Sequence, residues 1–179
     1  MEIFLVAGLG NPEGKYNNTR HNIGFEMLDH LAETVFNAEF SFNAKINAFL
    51  CNCVEKNKKY ILLKPATFMN NSGQAIGKIV NYYNIPIENI LIIQDDIDIE
   101  LGKIKVSQNS GPAGHKGIIS VIENLGSRNF KRLRIGIRPE DQNVPTEKFV
   151  LQKFSKEEME KIEDIKTKIP SLLKGIVQK

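Results

Sequence analysis

Apolar residues fill Ile3–Ala7 without a break and then give way to a polar stretch, Gly8–Asn22, crowded with Gly and Asn. Beyond it Ile23, Met27, Leu28, Leu31 and Val35 recur at the spacing that puts them on one face of a helix. The chain thus opens as a buried strand, a loop and an amphipathic helix, and open α/β sheets place their ligands at loops leaving strand ends. Ala48–Val54 and Tyr60–Lys64 read as strands around the polar turn Glu55–Lys59, a hairpin ended by Pro65. A loop over Ala66–Asn71 follows. Asn71 or Ser72 is placed to cap a helix whose apolar side is Ala75, Ile76, Ile79, Val80 and Tyr83.

After a break at Pro86, the continuous apolar run Ile90–Ile93 predicts a central strand covered on both faces, ending in Gln94-Asp95-Asp96. Gly102 precedes a strand over Lys103–Ser107, a glycine-rich loop over Gln108–Gly117, and a short helix, Ile118–Leu125, stopped by Gly126. Arg132–Ile137 alternates basic and apolar residues, the pattern of a half-exposed strand. Ser155-Lys-Glu-Glu158 is a capping-box pattern opening a terminal helix, with Met159, Ile162, Ile165 and Ile169 on its inner face and an interruption at Pro170. With no repeat, linker or low-complexity tract, the alternation predicts a single α/β domain over residues 1–179, a twisted mixed β-sheet flanked by helices.

Length and composition suit one soluble domain with its own core. The start, MEIFLVAGLG, lacks the basic residues and small-residue cleavage site of a signal peptide, and no apolar run is long enough to span a bilayer. Cys51 and Cys53, the only cysteines, share a strand face without bridging and complete no zinc set, so reduced, half-buried thiols in a cytoplasmic protein are expected. Net charge is only +3. Between Lys103 and Arg138, however, eight basic residues (Lys103, Lys105, Lys116, Arg128, Lys131, Arg132, Arg134, Arg138) face one acid, Glu123. A basic face on an acidic body fits a polyanion such as RNA, and a solvated surface of scattered cations accounts equally for the charge alone.

Three features carry candidate chemistry. His21 stands at the mouth of the first helix beside Arg20 and Asn22, where an imidazole can serve as a base or be merely structural. Gly8-x-Gly10 after a strand invites a dinucleotide-binding reading. Glu13 occupies the third glycine's place, Pro12 intervenes and no helix opens directly, which argues against it. Asp95, Asp96 and Asp98 could hold Mg²⁺, but no phosphate-cradling loop accompanies them; alternatively one of them orients a histidine.

The segments GLGNPEGKYNNTRHNIGF (Gly8–Phe25), KPATFMNNSGQAIG (Lys64–Gly77), DDIDIELGKIK (Asp95–Lys105) and GPAGHKGIISVIENLG (Gly111–Gly126) together resemble, in order and spacing, the bacterial-type peptidyl-tRNA hydrolases. The resemblance spans essentially the whole chain. It implies hydrolysis of the ester between peptide and tRNA, with no metal or other cofactor, by a monomer acting on peptidyl-tRNA. By matching, His21 is the base and Asp95 its orienting carboxylate, while Asp96 and Asp98 serve the turn. Asn11 and Asn70 would bind the peptide carbonyls and stabilise the oxyanion, and Asn11 would recognise the acylated nitrogen. Tyr16, Phe68 and Met69 would line the channel, although Phe68 and Met69 suit a core equally well. Arg134 would clamp a tRNA phosphate. His30 and His115 read as structural, the latter bonding backbone in its glycine-rich loop.

The chain departs from the family pattern at three places. Glu13 replaces a common Gly, Lys116 stands where an amide is usual, and Ser107 occupies a second phosphate-clamping position usually held by Lys or Arg. Lys103 and Lys105 lie near enough to substitute for the latter, and Lys116 could pair a phosphate. The alternative of a different class is a non-catalytic RNA-binding relative on the same fold.

Overall fold

The computed structural model describes residues 1–138 and 143–177. The first apolar run forms β1 (Glu2–Gly8), and the helical stripe forms α1 (Ile23–Thr34). A short β2 (Ser41–Asn43) leads into the hairpin β3 (Ala48–Glu55) and β4 (Lys58–Pro65), followed by α2 (Ser72–Tyr83) and β5 (Ile90–Glu100). Then come β6 (Ile104–Gln108), α3 (Lys116–Leu125), β7 (Lys131–Arg138), the one-turn α4 (Thr146–Phe149) and α5 (Lys156–Val177). The described strands form one seven-stranded sheet in the order β2-β3-β4-β1-β5-β7-β6. Its centre is parallel, β1 against β4 and β5 and β5 against β7, while β2, β3 and β6 add antiparallel edges. This is the expected mixed α/β architecture.

Alternation along the central strands supplies both layers of the core. Phe4, Val6, Leu91 and Ile93 face α1 and α5; Leu5, Ala7, Ile90 and Ile92 face α2 and α3. β4 and β5 flank β1 on its two edges, and the crevice at the carboxyl ends of these strands is the usual ligand position in such sheets. Gly24 lets α1 seat directly over that end: a Cβ there would lie 2.5 Å from the Ile93 carbonyl oxygen. That close approach brings the residues before α1, His21 among them, to the mouth of the crevice.

Several expectations are corrected. The hairpin turn is tighter than Glu55–Lys59, with Lys56 and Asn57 both at positive φ (48° and 62°), a two-residue turn whose twist matches the strands. Pro65 still belongs to β4, paired with Ala48. Neither Asn71 nor Ser72 caps α2 through its side chain; the Ser72 hydroxyl donates to the Met69 carbonyl at 2.8 Å. β5 does not end in Gln94-Asp95-Asp96 but runs on to Glu100 through a shift of register after Asp96. β7 is not half-exposed: Arg132 is buried, so it forms no part of an exposed basic face. Helix α5 continues through Pro170 because its buried stripe, Ile162, Ile165, Ile169, Leu173 and Val177, runs on both sides of it and outweighs one lost hydrogen bond. The capping box does form, with the Ser155 N–H on Glu158 at 2.7 Å and the Glu158 N–H on the Ser155 hydroxyl at 3.2 Å. Cys51 and Cys53 are free and buried rather than half-buried.

One partly buried carboxyl makes stability depend on pH. Glu26 on α1 is mostly but not fully buried against α5, 15% exposed, and its Oε1 has no hydrogen-bond partner. The Lys166 ammonium stays 3.9 Å away. Burial pushes its pKa up to about 7, with Lys166 opposing. Because the folded form holds this proton more tightly than the unfolded chain, the contribution is full below the unfolded pKa and is lost as pH rises through about 7. Glu26→Gln is therefore expected to raise Tm at pH 8 and leave it nearly unchanged at pH 4. Thermal melts at both pH values check this; an equal shift at the two would contradict it.

Candidate active site

The loop from β1 brings Asn11 to the crevice, and a 3-10 turn, Arg20–Asn22, delivers His21. The backbone here is fixed from two directions. The Asn11 N–H donates to Asn22 Oδ1, and Asn22 Nδ2 donates back to the Asn11 carbonyl, both at 2.9 Å. On the other side the N–H groups of Arg20 and His21 bond the carbonyls of Gln152 and Val150. The Arg20 guanidinium bonds both Glu158 oxygens at 2.9 and 2.7 Å. It also stacks over Phe149 at 4.1 Å. The turn carrying His21 is thus bolted to the segment before α5.

Asp95 comes from the middle of β5 and is almost completely buried. Both of its carboxylate oxygens lie 2.9 Å from His21 Nδ1. A second imidazole shares it: His115 Nε2 is 3.0 Å from Asp95 Oδ1. His115 caps α3, its Nδ1 accepting the Ile118 N–H at 3.4 Å, which assigns the His115 proton to Nε2, facing Asp95. Burial alone would raise the Asp95 carboxyl, but the two imidazoles outweigh it and hold it well below the usual carboxylate range. The ionised Asp95 in turn fixes the proton of His21 on Nδ1 and leaves Nε2 as the basic nitrogen.

These groups border a cavity of about 700 Å³. Asn11, Phe68, Met69 and Asn70 form one side, and Gln94, Asp95 and Asp96 the floor. The loop Pro112–Lys116 forms a second side, and Thr146, Glu147, Val150 and Leu151 border the cavity as well. The Met69 N–H donates to Asn11 Oδ1 at 2.9 Å, which orients the amide and leaves its Nδ2 as a donor for a guest. Asn70 and Phe68 are exposed in the cavity wall, and Met69 is buried beneath them. Tyr16 does not line this cavity; the 3-10 turn Gly14–Tyr16 holds it outside, with the Lys15 ammonium 5.0 Å from its ring.

The cations are mostly engaged. Arg134 Nε bonds Asp96 at 2.7 Å, Lys103 pairs with Glu100 at 2.6 Å, and Lys116 pairs with Glu147 at 2.8 Å. Lys105 is exposed on the edge strand β6, in register with Arg134. Asp96 also accepts the Asp98 N–H at 3.0 Å, so it serves both the turn and Arg134. Asp95, Asp96 and Asp98 therefore do not converge as a carboxylate cage. The three residues whose ligand atoms do converge, within 4.8 Å, are His21, Asp95 and His115, a set with donors suited to a transition metal and here joined by hydrogen bonds.

His115 is the site residue that sequence reading missed, since it bonds Asp95 as well as backbone. A histidine at the start of an apolar helix, just after a glycine-rich loop, was the available signal. Asn22 and Gln94 were likewise not singled out.

The family model described as peptidyl-tRNA hydrolase matches residues 5–179. The chain belongs to the peptidyl-tRNA hydrolase family. A peptidyl-tRNA hydrolase of Clostridium tetani is 41% identical over 178 residues, covering 98% of this chain and 91% of that protein. A chloroplastic peptidyl-tRNA hydrolase of Arabidopsis thaliana is 43% identical over 161 residues, 89% of this chain and 55% of the relative. The crystal structure of peptidyl-tRNA hydrolase from Acinetobacter baumannii superposes with a TM-score of 0.91 at 32% identity, covering 98% of this chain and 89% of that one. Among the described residues no helix is long and apolar enough to cross a membrane.

Proposed function

We propose that this chain performs its family's reaction, hydrolysis of the ester joining a peptide to the terminal ribose of tRNA, through a water deprotonated by His21. The contact between His21 Nδ1 and the buried, ionised Asp95 carries the reading. It leaves Nε2 to take a proton from water at the cavity as that water attacks the ester carbonyl. The same nitrogen then returns the proton to the departing ribose oxygen. Asp95 stabilises the imidazolium that exists between the two steps. The amides of Asn11 and Asn70 supply neutral donors to the carbonyls and to the developing oxyanion.

The peptide and terminal nucleotide occupy the cavity against Phe68 and Met69, whose apolar and aromatic surfaces suit bases and side chains alike. The phosphate backbone leaves past Arg134, Lys105 and Lys103. A phosphate reaching Arg134 or Lys116 competes with Asp96 or Glu147, so each contact trades one anion for another. We read the protein as a monomer acting in the cytoplasm, in keeping with a tRNA substrate.

Asn11 provides the experiment. A donor aimed at an acyl carbonyl is left unpaired by a free amine, so it contributes to discrimination. Asn11→Ala is expected to narrow the rate ratio between N-acylated and free aminoacyl-tRNA by roughly tenfold, the effect of about one lost hydrogen bond. It also orphans the Met69 N–H, which affects both substrates alike, so the ratio isolates the recognition. An unchanged ratio would remove Asn11 from this role.

A further inference from the structure

Arg132 is the largest fully buried side chain of the described residues, 1% exposed. It looks at first like a member of the basic face, but a tRNA phosphate has no path to it. No carboxylate bonds it among the described residues; Asp96, the nearby acid, is spent on Arg134. Its Nη2 has no hydrogen-bond partner. Burial, with Arg134 adding to it, draws its pKa down to about 10, and it remains a cation at neutral pH. A buried, incompletely paired cation is costly, and an apolar residue of similar size fills a core more cheaply.

What it bonds gives the reason for its presence. Arg132 Nε donates to Gln94 Oε1 at 2.7 Å, and Gln94 Nε2 donates to the Asp95 carbonyl at 3.0 Å. Arg132 Nη1 donates to the Gly111 carbonyl at 2.8 Å and the Ser110 hydroxyl at 3.0 Å. Ser110 and Gly111 open the loop that ends at His115, and His115 returns to Asp95 through Nε2. One rigid guanidinium therefore joins the strand behind Asp95 to the loop that brings His115 against it. Only a planar fork with donors on separate edges spans both arms.

We propose that Arg132 is a positioning residue for the catalytic carboxylate, holding Asp95 and His115 in register through Gln94 on one side and Ser110–Gly111 on the other. The proposal rests on the reading of Asp95 as the partner of the base. A lysine keeps the charge but cannot bond both arms. Arg132→Lys is expected to lower kcat on peptidyl-tRNA roughly 10- to 100-fold, the effect of a small misplacement of reacting groups, with KM changed less than about twofold. The additional loss should shrink in a His115→Asn background, where the loop arm has nothing left to place.

Two narrower variants cover the case in which Arg132→Lys does not fold. Gln94→Glu keeps the acceptor for Arg132 and removes the donor to Asp95, and Ser110→Ala removes one bond of the loop arm; each should reduce kcat and spare KM. Wild-type kcat in a folded Arg132→Lys, or in both narrower variants, overturns the proposal. So does a rise in KM with a flatter salt dependence at constant kcat, which would mark an RNA contact. If His21→Ala stays active, the underlying mechanism has failed. If His21→Ala is inactive while Arg132→Lys turns over normally, only this proposal has failed.

Discussion

Replacing His21 by alanine is expected to lower kcat for peptidyl-tRNA by roughly 10²–10⁴, the usual contribution of general-base assistance, while Tm and tRNA affinity stay near wild type. The imidazole lies in a cavity wall, 13% exposed, and its fixed point is a carboxylate rather than a packed apolar core. The turn that carries it is held by backbone bonds to residues 150–152 and by Arg20 on Glu158, none of which needs the ring. Truncation therefore removes chemistry with little packing. Steady-state kinetics beside a melt and a tRNA-binding titration decide it. Near-normal turnover would contradict the assignment, and a collapse of Tm would show the ring to be structural.

Asp95→Asn should cost roughly 10²-fold, toward the lower end of the same range. The carboxylate offers acceptors to two imidazoles at once, with Oδ1 shared and Oδ2 turned to His21 alone. An amide keeps one acceptor and places a donor against the other position. His115 cannot reverse its tautomer without losing the Ile118 N–H. The conflict falls on His21, whose Nδ1 then prefers to accept from the amide; the proton shifts toward Nε2 and the base survives only in a minor tautomer. Removing His115 in the Asp95→Asn background should recover part of the rate by freeing the amide oxygen for His21. If Asp95→Asn is harmless and Asp96→Asn is crippling, the orienting carboxylate has been misassigned.

Local patterns carried much of the fold. The stripe Ile23–Val35, the apolar run Ile90–Ile93, the capping box at Ser155 and the stop at Gly126 each express one short-range rule, and the structure follows them. What eluded sequence reading depends on contacts between distant segments. β5 continues past Asp95 because β7 pairs with Asp95, Asp96 and Glu100. Helix α5 passes Pro170 because its inner face is committed to the core on both sides. The convergence of His21 and Asp95 came from resemblance to a family. His115 and Arg132 carried no such prompt: a histidine after glycines looks like a cap, and an arginine in a basic strand looks like surface. Their roles rest on partners 20 and 38 residues away.

The most direct measurement is single-turnover release from N-acetyl-aminoacyl-tRNA by the purified chain in excess chelator, run beside the free aminoacyl-tRNA. The expected result is rapid, complete release of the N-acetyl-amino acid and much slower cleavage of the unacylated substrate. Binding of both tRNAs with no release of either would contradict it, and would make the chain an RNA-binding relative on a hydrolase fold.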